Sequence, residues 1–79
     1  MINSIAMFQD YISGTKVPFN LELFGAARPF SGSAGTGTTI VTPAGVELLT
    51  VRENPAAIAE VVGLWSEKKL SYLAKGGHA

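Results

Sequence analysis

The chain has 79 residues, a formal net charge of zero, 47% hydrophobic and 15% charged residues, and no cysteine. Zero net charge removes any global field that would steer the chain toward nucleic acid, an anionic membrane or an acidic partner, and the missing cysteine removes disulfides, thiol catalysis and thiolate metal sites. High apolar content with few charges excludes an extended disordered chain and predicts one small domain, residues 1–79, with apolar side chains to spare for self-association.

Residues 1–13 carry Asn3, Gln9 and Asp10 and lack a basic run, so they do not read as a signal peptide. No apolar run approaches the roughly 20 residues of a membrane span. The expected setting is therefore cytoplasmic and membrane-free. Asn3 or Ser4 is placed to cap a short helix through Ile12, with Ile5, Phe8 and Ile12 on one face, Met7 and Tyr11 widening it, and Ser13-Gly14 ending it.

From Thr15 to Phe24 the period changes to two. Val17, Phe19, Leu21 and Leu23 alternate with Lys16, Pro18, Asn20 and Glu22, the pattern of a half-buried strand. Pro18 cannot donate to a ladder and places this strand at an edge. Phe24 falls on its polar side, an exposed aromatic unless the following loop covers it. Residues 25–37, GAARPFSGSAGTG, are rich in glycine and small residues and show no period, so they predict a flexible, functional loop, mobile from Ser31 to Gly37. Arg28 and Phe30 within it are a candidate contact pair, because arginine and aromatic side chains are enriched in binding hot spots; the competing reading tucks Phe30 onto the core.

Thr38–Thr42 and Val46–Val51 are β-rich runs joined by Pro43-Ala44-Gly45, a hairpin signal. The second run is apolar on both faces. Val46 and Leu48 are read as the core side, which leaves Leu49 and Val51 on an open sheet face, favoured as the broader surface for a homodimer over the helix flank that carries Leu64 and Leu70.

Asn54 and Pro55 then mark the start of a long helix, as N-cap and first helical residue. It runs to about Lys75, before Gly76 and Gly77 and a mobile tail at 76–79. Ile58, Val61, Val62, Trp65, Tyr72 and Leu73 form its apolar stripe, with Trp65 near the middle as the expected central contact. Leu64 and Leu70 lie on the two flanks, outside that stripe. Gly63 is on the outer side, where it costs roughly 1 kcal/mol relative to alanine.

Specific chemistry fails residue by residue. Residues 32–39 have the glycine spacing of a phosphate loop, but Thr38 stands where the lysine is required and the segment runs into a strand. His78 is the only histidine and sits behind two glycines, away from any serine. Glu53, Glu60 and Glu67 recur every seven residues, a rise of about 10.5 Å, beyond the ~5–9.5 Å of paired catalytic carboxylates. No catalytic, cofactor-binding or metal-binding residue is therefore assigned, and no cofactor is expected. Arg52, Lys68, Lys69 and Lys75, interleaved with Trp65 and Tyr72, form the candidate contact set for a nucleic-acid-associated regulator.

The expected fold is α+β: a three-stranded, mostly antiparallel sheet packed on a long C-terminal helix, with a short N-terminal helix (α-β-β-β-α). In format the chain is similar to small accessory proteins of phages and other mobile elements, including anti-CRISPR inhibitors, although no motif carries residues over. That similarity implies a non-enzymatic protein that occupies the surface of a larger assembly as inhibitor or adaptor. Phe24, Arg28, Phe30, Leu64 and Leu70 are its candidate contacts. The alternatives are the nucleic-acid regulator above and a small subunit or assembly factor of an obligate complex.

Overall fold

The N-terminal residues pair as strands. In the computed structural model, which describes residues 3–74, the elements are β1 (Ile5–Gln9), β2 (Lys16–Asn20), a 3-10 turn (Leu21–Leu23), β3 (Ala26–Gly32), β4 (Gly35–Val41), β5 (Glu47–Val51) and α1 (Pro55–Ala74). The predicted N-terminal helix is thus replaced by a strand. Ile5, Phe8 and Ile12 fit a helical face, but Ala6 and Phe8 face inward in alternation with exposed Ile5 and Met7. A helix that short does not persist alone. Paired with β2 from Ile5↔Asn20 to Gln9↔Lys16, the same residues satisfy their backbone in a hairpin.

The turn of that hairpin is tied from two sides. The Asp10 carboxylate accepts from the backbone N–H groups of Ile12 and Ser13 at 3.1 and 3.0 Å, and Gly14 closes the turn at φ +74°. Arg52, at the far end of β5, donates from Nε to the Tyr11 carbonyl at 3.0 Å and from Nη2 to that of Ile12 at 3.2 Å. Asp10 bridges to Val51, with Tyr11 N–H donating to Thr50 O and Arg52 N–H to Gln9 O. The β1–β2 pair is thereby joined to the β3-β4-β5 sheet, giving the order β2-β1-β5-β4-β3. Pro18 lies in β2 and Pro29 in β3, the two strands paired on one side only, so both edges lack a donor that a further strand could use.

The glycine-rich segment is not a loop. Residues 26–32 and 35–41 form an antiparallel hairpin, in register from Ala26↔Val41 to Gly32↔Gly35, around Ser33-Ala34. Gly35 supplies the positive φ of the turn, +101°. Gly37 is needed for space: a Cβ there would lie 2.3 Å from the Val51 carbonyl oxygen and 3.1 Å from the Tyr11 ring. Composition that suggests flexibility serves a tight turn and a close approach.

Phe8, Phe19, Leu21, Ile40, Val51 and Ile58 form the core, with Ala27, Leu49, Val61, Val62 and Trp65 packed against it. Leu49 and Val51 therefore face inward and Val51 is 0% exposed, whereas Val46 and Leu48 are exposed. The facing predicted for β5 is reversed: Val51 is closed to any partner, and Leu49 is half-buried against the core. Pairing of Ile40 with Leu49 and of Thr38 with Val51 sets the choice, with a bulge at Ile40/Val41; a strand apolar on both faces does not declare it. Phe24, expected to be exposed unless covered, packs half-buried against the same cluster. Asn54 caps α1 as predicted, its Oδ1 accepting from Ala57 N–H at 2.7 Å. Ile58, rather than Trp65, is the fully buried residue of the helix. No helix among the described residues is long and apolar enough to cross a membrane.

Candidate protein-interaction surfaces

A 20-residue helix is about 30 Å long, while strands of five to seven residues reach only ~17–23 Å. Helix α1 is therefore longer than any single strand of the sheet. Its N-terminal half anchors through Ile58, Val61 and Val62. Farther along, Leu64, Leu70 and Leu73 are 54%, 68% and 56% exposed. Leu73, read as part of the core stripe, is exposed instead.

Around the helix these leucines separate. At 100° per residue Leu64 lies with Val61, Trp65 and Lys68 on one flank, and Leu70 and Leu73 lie on the other. The second flank also carries Ala56, Ala59, Gly63 and Ser66, so residues 56, 59, 63, 66, 70 and 73 follow each other at spacings of three and four. Among the described residues, beyond its own helix turn, nothing lies within 4 Å of a Cβ built on Gly63, so its backbone is open to approach from outside. Glu60 and Glu67, both exposed, border this seam on one side.

The first flank forms one wall of a groove of about 310 Å³, completed by Asn3, Ile5, Ala6 and Leu21. Trp65 lines it and is held from its other side. Lys69 Nζ sits 4.9 Å from the ring centroid and donates to Glu22 Oε1 at 2.9 Å, tying α1 to the 3-10 turn. That ion pair is half-exposed and contributes at most about 1 kcal/mol.

A third surface lies on the opposite side of the sheet. Register puts Arg28 and Phe30 on the face away from Ala27, Ile40 and Leu49, and hence away from α1. Phe30 packs edge-on to the buried Tyr11 ring, centroids 4.9 Å apart. Tyr11 Oη donates to Gly35 O at 2.8 Å and accepts from Ala34 N–H at 2.9 Å, which pins the hairpin tip. Phe30 is thus partly a packing residue, with one side facing a cleft of about 400 Å³ shared with Asp10, Ile12 and Ser33. Ile12, 78% exposed beside this cleft, was missed as a surface residue because the helical spacing assigned it inward.

Of the predicted contacts, Arg28 and Phe30 share this hairpin face, Leu64 and Leu70 occupy separate flanks of α1, and Phe24 belongs to the edge of the core. The basic set does not converge either. Arg52 is engaged by the Tyr11 and Ile12 carbonyls, Lys69 by Glu22 and Trp65, and Lys68 is exposed beside the groove. Lys75, like the tail at 76–79, lies outside the described residues. Among the described residues no three His, Cys, Asp or Glu side chains are grouped to hold a metal ion. Comparison with protein families, characterised proteins and solved structures finds no match to this chain.

Asp10 is the titratable group on which the turn depends. Its carboxyl is held below the ordinary value of 3.8, chiefly by the Ser13 backbone N–H; desolvation, the next largest effect, raises it, and the Ser13 hydroxyl, the Ile12 N–H and the Arg52 charge lower it further. A lowered folded value means that its stabilising effect is complete above the unfolded value and is lost as pH falls through the folded one. The Ile12 and Ser13 amide resonances should therefore hold their positions down to about pH 4 and move together below it in an NMR titration. Amides that move only near neutral pH would contradict this.

Proposed function

We propose that this chain is a non-enzymatic protein-interaction domain whose principal contact element is the outer flank of α1, and that one occupant of that flank is a second copy of the chain. The observation that carries the reading is the exposure of Leu70 and Leu73 on a seam with coiled-coil spacing along a 20-residue helix.

The seam is self-complementary when two helices run antiparallel. Ala56 then lies opposite Leu73, Ala59 opposite Leu70 and Gly63 opposite Ser66 of the other copy. Each leucine meets an alanine, and the smallest residues meet at the crossing, where backbones approach most closely. A symmetric pair of this kind uses the same patch twice and closes it. The same geometry sets Glu60 against Glu67 of the second copy. Like charges weaken the pair, and salt screens them.

Sedimentation equilibrium tests this. The wild type should show a reversible monomer–dimer equilibrium at micromolar concentration that strengthens with added salt. Leu70→Glu should be monomeric with unchanged far-UV circular dichroism, because Leu70 contributes little to the core. A monomeric wild type throughout the micromolar range would reject the second copy as occupant.

A further inference from the structure

Glu60 and Glu67 each follow a seam residue of α1 by one position, Ala59 and Ser66, and both are exposed. In an antiparallel helix pair the residues that border one side of the seam face their counterparts in the other copy. Glu60 therefore meets Glu67 of the second copy, and two-fold symmetry repeats the contact. The other border carries Val62 and Lys69, and Lys69 is tied to Glu22 at 2.9 Å. Charge on the seam is thus one-sided. Among the described residues Lys69–Glu22 is the one ion pair, so neither Glu60 nor Glu67 is neutralised within its own chain. Lys68 lies about 100° further round the helix than Glu67. Glu53, before the helix, accepts from Gln9 N–H, and Arg28 lies on the sheet face away from α1. Lys75 and His78 lie outside the described residues.

We propose, on the basis of the self-pairing described above, that association through α1 is proton-linked: weak at neutral pH and tightened by mild acid. Like charges brought face to face disfavour the charged form. Pairing is therefore coupled to proton uptake at Glu60 and Glu67, and the dimer gains on the monomer as pH falls. The apolar seam supplies the attraction at every pH, and the two glutamates set how much of it is realised. The useful window lies above about pH 4, where carboxylates begin to take up protons while the Asp10 turn is still intact.

Sedimentation equilibrium of the whole chain between about pH 7.5 and 4.5 tests this, with circular dichroism recorded at each pH. The wild-type dimer should tighten about threefold across that range. Glu60→Gln/Glu67→Gln should associate about fivefold more tightly than wild type at the upper pH, and should lose most of the pH dependence. Glu47→Gln, at an exposed position on β5, should behave as wild type, which separates the seam contact from a general reduction of charge. Wild-type association that is independent of pH, or a double variant that is no tighter at neutral pH, would overturn the proposal. So would a double variant with the full wild-type pH dependence, which would assign the effect to another group such as His78. Failure of both proteins to associate at any pH would reject the self-pairing itself, whereas equal association of the two would reject the proton linkage alone.

Discussion

Ile58→Ala is expected to remove about 2–5 kcal/mol of stability. Ile58 is 0% exposed and joins Phe8, Phe19, Leu21, Ile40 and Val51 in one cluster. Truncation leaves a cavity where α1 meets both sheet segments, which cannot collapse without moving the helix from its cap. A domain of this size has roughly 4–12 kcal/mol in total, so the variant should be marginal, with a large fall in the urea midpoint and an unchanged slope. Trp65→Ala should cost less than Ile58→Ala, because Trp65 is only partly covered and Lys69 closes one of its faces. The reverse order would restore Trp65 as the centre of the helix–sheet contact.

Gly37→Ala is expected to be at least as damaging, by a different route. The added methyl would lie 2.3 Å from the Val51 carbonyl oxygen, a backbone atom that moves only if β4 and β5 separate. On its other side is Tyr11, whose hydroxyl pins the hairpin tip. Overpacking against fixed backbone costs about 3 kcal/mol or more. Gly63→Ala is the matched control. An added Cβ there meets open space within the single chain, so the helix of the monomer, at concentrations below self-association, should gain roughly 1 kcal/mol. Thermal melts of both variants decide the point: equal effects of like sign would mean that glycine is tolerated at Gly37 for its flexibility rather than required for space.

The parts of the fold with local chemical signals are legible in the sequence. Asn54 and Pro55 mark the helix start, Pro43-Ala44-Gly45 marks the β4–β5 turn, where Gly45 has φ +88°, and Pro18 marks an edge strand. What is not legible depends on tertiary partners. Ile5, Phe8 and Ile12 fit a helix face and a strand equally, and the pairing with β2 decides. Each glycine of residues 25–37 looks flexible until Tyr11 and Val51 are seen to crowd Gly37. Leu49 and Leu48 both suit a core, and only the register with Ile40 chooses between them. Arg52 gives no sequence signal for its role, because the carbonyls it holds are 40 or more residues away.

The candidate surfaces follow the same division. Leu64 and Leu70 fall outside the helix stripe by angle alone and are exposed. Leu73 falls inside that stripe by angle and is exposed all the same, since the helix pattern alone does not encode what packs beneath each turn. The Lys68–Trp65 groove depends on β1, and the sequence pattern gave that segment the wrong secondary structure.

The central claim, that the outer flank of α1 is a contact surface with antiparallel self-complementarity, is tested most directly by disulfide trapping. The chain has no native cysteine, so single substitutions report without background. Ala59→Cys and Leu70→Cys proteins, mixed and oxidised under mild conditions, should give predominantly the mixed disulfide, because an antiparallel seam sets residue 59 opposite residue 70. Ala59→Cys alone should cross-link poorly. Efficient self-cross-linking of Ala59→Cys, or a mixed product no more abundant than for cysteines placed at Ser31 and Lys16, would contradict the account.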